Sequence, residues 1–377
     1  MARGGQRAGL ARSGFDFLQR GAGKMSFSFR ALVEAPSNIA VIKYMGKADS
    51  QSNLPANPSL SLTLDRLASV TEVSWSGPGS FALEWQGVDQ LGGELRLRPM
   101  ALPASDDHQR SKMERHLRRV FMAVAPELDH SALGQWRVRT GNRFPAGAGI
   151  ASSASGFAAF TFGVACVLSD YTGRVPSTEH LSELSRQGSG SSCRSFWGPW
   201  VSWEGNSARP LAGTGLKLVD LIVLLDERAK AVSSSEAHER VKRSPLWEGR
   251  VSRAQVRFDE LSAMLLADQL QSKWARFSEL CFEEAMDMHE LFHTAQPAFS
   301  YLAPRTWEIL DWLRQNRGPP IAVTLDAGPN IHLLMPESEL ESVKAALFKG
   351  LGSLDLLEDR QGTGVRRLGP ERGQVLP

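Results

Sequence analysis

Cysteine is scarce: Cys166, Cys193 and Cys281 are the only three in 377 residues, and they lie far apart. That excludes a disulfide framework, and with no Cys-x-x-Cys pair the usual zinc and dithiol redox motifs are missing too. A reducing, cytoplasmic setting is the expectation. Charge of one sign is also lacking. Lys and Arg number 43 against 41 Asp and Glu, so the chain has no overall pull toward nucleic acid, and any anion site must be a local pocket. The basic excess sits in residues 1–30, with six Arg or Lys against one acid, Asp16. This segment reads as a disordered basic head or a mis-called start, translation beginning at Met25, with an Arg-rich transit peptide as the alternative. Long apolar runs are absent but for one. Residues 144–169 carry no charge, yet the run opens on Pro145 and glycines and is diluted by Ser152, Ser153 and Ser155, so a buried helix is expected and not a membrane span.

No internal repeat or low-complexity array is present. A chain of 377 residues, 42% hydrophobic and 22% charged, is long enough that one core rarely serves it, so two domains are expected. Ala31–Ile42, Asn57–Leu64, Val70–Trp75, Phe81–Trp85 and Trp136–Arg139 read as strands, and residues 103–125 as a helix capped by Ser105 or Asp106. Helices are expected over Ser152–Leu168 and Ser177–Arg186, then a turn over residues 188–192. Residues 205–215 are rich in Gly and Pro and mark a boundary near residue 212, dividing the chain into 31–212 and 213–377. Beyond it, strands at 216–225, 321–325 and 331–334 alternate with helices at 236–244, 250–268, 272–291, 304–316 and 336–349, the pattern of an α+β domain.

Chemistry concentrates in four segments. Residues 145–156 read Pro-Ala-Gly-Ala-Gly-Ile-Ala-Ser-Ser-Ala-Ser-Gly. Gly147 and Gly149 permit turns that other residues resist, and Ser152 and Ser153 stand where a helix begins with unpaired amides, a place that binds phosphate. It is neither a Walker loop, since no Gly-Lys-Ser/Thr follows, nor a dinucleotide fingerprint, since the glycine spacing is wrong. Taken alone it reads equally as a small-residue helix packed on a sheet. Lys43, Tyr44 and Lys47 follow an apolar strand and present two ammonium groups and a phenol at its end; the simpler reading of these three alone is a solvated strand end. Gly188–Ser195 combines backbone amides, hydroxyls and the Arg194 guanidinium, which suits a diphosphate or carboxylate, or else is a capped turn. Asp326, before Ala-Gly-Pro-Asn, is by itself a turn aspartate.

Together these segments resemble the diphosphomevalonate decarboxylase family of the GHMP kinase superfamily. Residues 145–156 are similar to its phosphate loop, Ala35–Lys47 to its opening strand, and Arg186–Ser195 and Leu325–Asn330 to two further motifs, in the family's order. The resemblance implies an α+β, two-domain GHMP kinase fold, with an N-terminal domain of the ribosomal protein S5 domain 2-like type and a ferredoxin-like C-terminal domain. It implies ATP-dependent decarboxylation of diphosphomevalonate to isopentenyl diphosphate through 3-phosphorylation, with ATP and Mg2+ as cofactors, and a homodimer that engages neither nucleic acid nor membrane. Carried over residue by residue, it makes Asp326 the base and sets Lys43 beside it and the phosphoryl group. Asn38, Tyr44, Lys47, Ser189, Gly190, Ser191 and Arg194 would hold the substrate's anionic groups, and Pro145, Gly147, Gly149, Ser152 and Ser153 the ATP phosphates.

The match is imperfect. Met45 stands where the family usually has Trp, Pro58 where it has Ser, and Gln187 where it has a basic residue. Ser233–His238 departs from a family segment reading Ser-Ser-x-x-Gly-Met, and lacks an Arg that some bacterial members carry there. These changes gather on the substrate side, which leaves phosphomevalonate or a related hydroxy acid as the alternative substrate. Two readings from other classes are a non-catalytic GHMP-like binding protein and a zinc hydrolase. His289-Glu-Leu-Phe-His293 is a literal HExxH. Its metzincin extension fails, because Gln296 and Phe299 stand where a glycine and a third histidine belong, and Glu308 and Asp311 are poor substitutes as third ligands. No metal ligand is therefore assigned.

Overall fold

The computed structural model describes residues 27–91, 94–100, 107–131, 133–144, 152–212, 215–225, 232–316 and 320–369. The basic head, apart from its last four residues, and the caps Ser105 and Asp106 lie outside them.

The chain opens with β1 (Phe29–Ile42), a small ribbon of β2 (Lys47–Asp49) and β3 (Leu54–Pro55), and the long β4 (Ser59–Trp75). Then come β5 (Gly79–Leu91), β6 (Glu94–Met100), α1 (Asp107–Val124), β7 (Leu133–Asn142), α2 (Ser152–Thr172), α3 (Thr178–Gly188), a 3-10 turn at Gly190–Phe196, β8 (Trp200–Glu204) and β9 (Ser207–Leu211). The second half holds β10 (Leu218–Leu224), α4 (Ser234–Arg240), α5 (Trp247–Leu266), α6 (Trp274–Thr294), α7 (Pro304–Gln315), β11 (Ala322–Thr324), β12 (Ile331–Pro336), α8 (Leu340–Leu351), β13 (Asp355–Arg360) and β14 (Arg366–Leu368). Within the stretch 205–215 that marked the expected boundary, residues 207–211 form β9, antiparallel to β8. Pro210 is tolerated there because β9 is an edge strand, where a missing Pro N–H costs no ladder bond.

Among the described residues, one sheet of eight strands runs β14-β1-β4-β7-β5-β6, with β8 joined to β4 and β9 to β8; a second runs β11-β12-β10-β13. All pairs in them are antiparallel except β5 with β7. In β1, Ala31, Val33 and Ala35 face a core made with α1, α2 and β7, where Trp75 stacks on Trp136 at 5.3 Å. A register shift between Pro36 and Asn38 bends the strand. Past it, Ile39, Val41 and Ile42 enter a different core with Phe258 and Leu261 of α5, Phe277 and Leu280 of α6, and Ile222 of β10. This second core packs strands of both sheets against α5 and α6. From Ser152 on, the charge-free run lies in α2, with 67% of that helix's most apolar window buried.

Candidate active site

Because Ile39, Val41 and Ile42 are locked in that shared core, the chain leaves β1 at a fixed point, and the next residue is Lys43. Its side chain is 2% exposed, and Nζ lies 2.7 Å from Oδ1 of Asp326, whose side chain is 26% exposed. The ammonium is dry and the carboxylate is open, which is the arrangement of a reachable base. Burial pushes the Asp326 carboxyl up, but Lys43, with His332 and Arg194 adding, outweighs it and holds the group below the ordinary carboxylate value. It is therefore ionised at neutral pH.

Arg194 is buried and pinned. Its Nε and Nη2 donate to Asn38 Oδ1 at 3.1 and 3.0 Å, and Nη1 to Ser59 Oγ at 2.9 Å. Asn38 in turn donates to Ser195 Oγ at 2.9 Å and to the Ser191 carbonyl at 3.4 Å. Burial lowers the affinity of this guanidinium for its proton, opposed by Cys193, Asp326 and Tyr44; near neutral pH it is a fixed cation. Tyr44 lies between Trp203 and His238, ring centroids 4.6 and 4.4 Å away, and burial pushes its hydroxyl pKa up. A Cβ at Gly190 would sit 2.6 Å from the Tyr44 ring and hydroxyl, so this close approach needs glycine.

The start of α2 and the Gly188–Ser195 turn adjoin. α2 begins at Ser152, both it and Ser153 are exposed, and Ser189 Oγ donates to Ser153 Oγ at 3.4 Å. Unpaired amides of a 21-residue helix face out there, with the positive end of its dipole. Pro145, Gly147 and Gly149 lie outside the described residues. Beside this turn, Lys47 bonds Asn53 Oδ1 at 2.8 Å; burial lowers its ammonium pKa, Glu239 opposes, and Lys112 and Lys242 lower it further. Such a surplus of cations fits a polyanion.

Sequence reasoning passed over several of these groups. Lys112, whose Nζ sits 4.7 Å from the Phe157 ring centroid, and Arg119, which donates to the Gln187 carbonyl at 3.4 Å, line one face of α1 with His116. Their i, i+4, i+7 spacing was the available signal. His238, where the family has Met, accepts the Gly46 amide at Nδ1, 2.9 Å away; nothing local announces that contact. Met45 is buried with Val241, Met288 and Phe292, an apolar substitute for the family's Trp.

The HExxH helix is α6. His289 is fully buried and its Nε2 donates to the Asp326 carbonyl at 3.2 Å, whereas His293, 26% exposed, faces Ser300 at 3.2 Å. The two imidazoles serve different partners, and no group of three or more possible metal ligands is found among the described residues.

The model of the diphosphomevalonate decarboxylase-like N-terminal domain matches residues 35–91 and 94–211, and that of the mevalonate 5-diphosphate decarboxylase C-terminal domain matches residues 220–364. The chain belongs to the diphosphomevalonate decarboxylase family. The diphosphomevalonate decarboxylase of Candida albicans is 29% identical over 86% of this chain and 89% of its own. The mevalonate diphosphate decarboxylase of Legionella pneumophila has a solved structure with TM-score 0.74 and 32% identity, covering 87% of this chain and all of that one. MDDEF in complex with MVAPP, AMPPCP and magnesium gives TM-score 0.75 and 28% identity over 91% of this chain and 99% of that one. The architecture is thus the two-domain α+β GHMP kinase fold, and the chain is a decarboxylase of that family.

Proposed function

We propose that the protein carries out ATP-dependent decarboxylation of diphosphomevalonate to isopentenyl diphosphate, releasing ADP, phosphate and carbon dioxide. The observation that carries this is the 2.7 Å pair of Lys43 with a partly open Asp326, in a chain matched by both family models. A tertiary hydroxide does not leave by itself. Asp326 accepts the hydroxyl proton as that oxygen takes the γ-phosphoryl group of ATP, and Lys43 balances charge at both. Phosphate then departs with its bonding electrons, the carboxylate leaves as carbon dioxide, and the electrons of the broken C–C bond form the new double bond.

The remaining residues bind and orient. Arg194, held by Asn38 and Ser59, offers a rigid cation to the substrate carboxylate or diphosphate. Tyr44, Lys47, Ser189, Gly190 and Ser191 complete that cradle, and Ser152 and Ser153 at the start of α2, with the 145–149 loop, take the nucleotide phosphates. Magnesium would accompany ATP and screen its phosphates; the surplus of Lys47, Lys112 and Lys242 fits that polyanion, and a similar protein, MDDEF, is solved with MVAPP, AMPPCP and magnesium. We read the chain as a cytoplasmic homodimer, as the family leads one to expect, with its domains divided near residue 212.

Incubation with ATP, magnesium and diphosphomevalonate, following ADP and carbon dioxide together, tests this. Equal yields of both are expected. ADP without carbon dioxide would make the protein a kinase, and neither product would overturn the substrate.

A further inference from the structure

Lys43 and Asp326 are 283 positions apart, one at the end of β1 and the other in the turn between β11 and β12. The two segments meet directly through Thr324 Oγ1, which donates to the Ala40 carbonyl at 3.2 Å, but that bond reaches neither Lys43 nor Asp326 itself. What touches both is α6. Glu284 Oε1 accepts the backbone N–H of Lys43 at 3.0 Å, and His289 Nε2 donates to the backbone carbonyl of Asp326 at 3.2 Å. Both bonds reach main chain, so they position the two residues while leaving the ammonium and the carboxylate to each other. On a helix, five residues span about 7 Å along a stiff axis.

Each contact is built at a cost that packing alone does not require. Glu284 is fully buried, with its Oε2 taking Arg250 Nη1 and Arg257 Nη1, both at 2.8 Å. Arg250 also reaches the Lys43 carbonyl at 3.4 Å, so one buried ion pair grips both main-chain groups of that lysine. His289 is fully buried, and its Nδ1 has no hydrogen-bond partner among the described residues. An unpaired buried polar atom opposes folding, and Phe or Leu would fill the space without it. Burial lowers the pKa of His289 to about 3, with Lys43 adding in the same direction, so the ring is neutral at neutral pH. Its bond to a carbonyl then places the one proton on Nε2.

We propose that α6 is the jig that sets the catalytic pair, with His289 and Glu284 as positioning residues, the first for the base and the second for the lysine. This rests on the assignment of Asp326 and Lys43 above. His289→Phe removes the donor. Its kcat is expected to fall about 10- to 100-fold, since a small misplacement of a catalytic group costs on that order, while the KM values for ATP and for diphosphomevalonate move less than about threefold. His289→Gln, whose amide can replace Nε2, is expected to recover most of the loss. Glu284→Asp keeps the charge for Arg250 and Arg257 but withdraws it from the Lys43 amide, and is expected to lower kcat in the same manner. Should His289→Phe fail to fold, His289→Asn, too short to reach the carbonyl, must show the same loss. A kcat within twofold of the parent in these variants, or no recovery in His289→Gln, overturns the proposal. Asp326→Asn run alongside separates the cases: an inert Asp326→Asn beside a fully active His289→Phe sinks only the role of α6, whereas an active Asp326→Asn sinks the assignment of the base.

Discussion

Asp326→Asn is the sharpest perturbation the site allows, because it changes charge and basicity while almost keeping shape. The carboxamide oxygen can still accept from Lys43 Nζ, 2.7 Å away in the parent, so the ammonium keeps a hydrogen bond but loses its counter-ion. Removing one partner of a buried pair costs about 3–5 kcal/mol. The side chain of Asp326 is 26% exposed and the oxygen is retained, so a loss of roughly 1–2 kcal/mol of stability is expected here. The effect on turnover is larger. A positioned base contributes about 10²- to 10⁴-fold, which is about 3–5 kcal/mol of barrier. Among the described residues no other carboxylate hydrogen-bonds or pairs with Lys43 Nζ to take over. The assay follows ADP and carbon dioxide at saturating ATP and diphosphomevalonate, with nucleotide binding measured by calorimetry and stability by urea unfolding. Turnover down by at least 100-fold with nucleotide affinity kept is expected. Retention of more than about a tenth of parental turnover would refute the base assignment, since no positioned base contributes so little.

Two further outcomes follow from the same geometry. Lys43→Met removes the largest influence lowering the Asp326 pKa and leaves burial, which raises it; the acid limb of kcat should move to higher pH in this variant, and an unmoved limb would mean another group titrates. In the parent, the sign is the reverse: Asp326 has a depressed pKa, so the stability it contributes is present above its unfolded value and lost as pH falls through the folded one. Gly190→Ala would drive a methyl to 2.6 Å from a Tyr44 ring confined by Trp203 and His238, a strain of about 1–3 kcal/mol; the KM for diphosphomevalonate should rise while that for ATP changes less, and an unchanged KM would remove Tyr44 from the substrate cradle.

Much of the molecule was legible in its residues. β1, α2, α3 and the helices of the second half follow from apolar periodicity and caps, because those signals act over a few neighbours, whereas the two strands expected at 57–64 and 70–75 are one continuous β4. The shape of residues 207–211 was not, since an edge strand is made by its partner β8 and not by its own composition. The candidate site divides along the same line. Lys43, Arg194, Ser153 and Asp326 could be singled out through the family resemblance of their segments, for taken alone Asp326 reads as a turn aspartate and Lys43 as a solvated strand end. The pairing of Lys43 with Asp326, the seat of Arg194 on Asn38 and Ser59, the capture of the Gly46 amide by His238, and the grip of Glu284 and His289 on two distant main-chain groups are properties of tertiary structure alone. Each joins segments tens to hundreds of residues apart, and the packing of distant elements, such as β1 against α5 and α6, sets those distances.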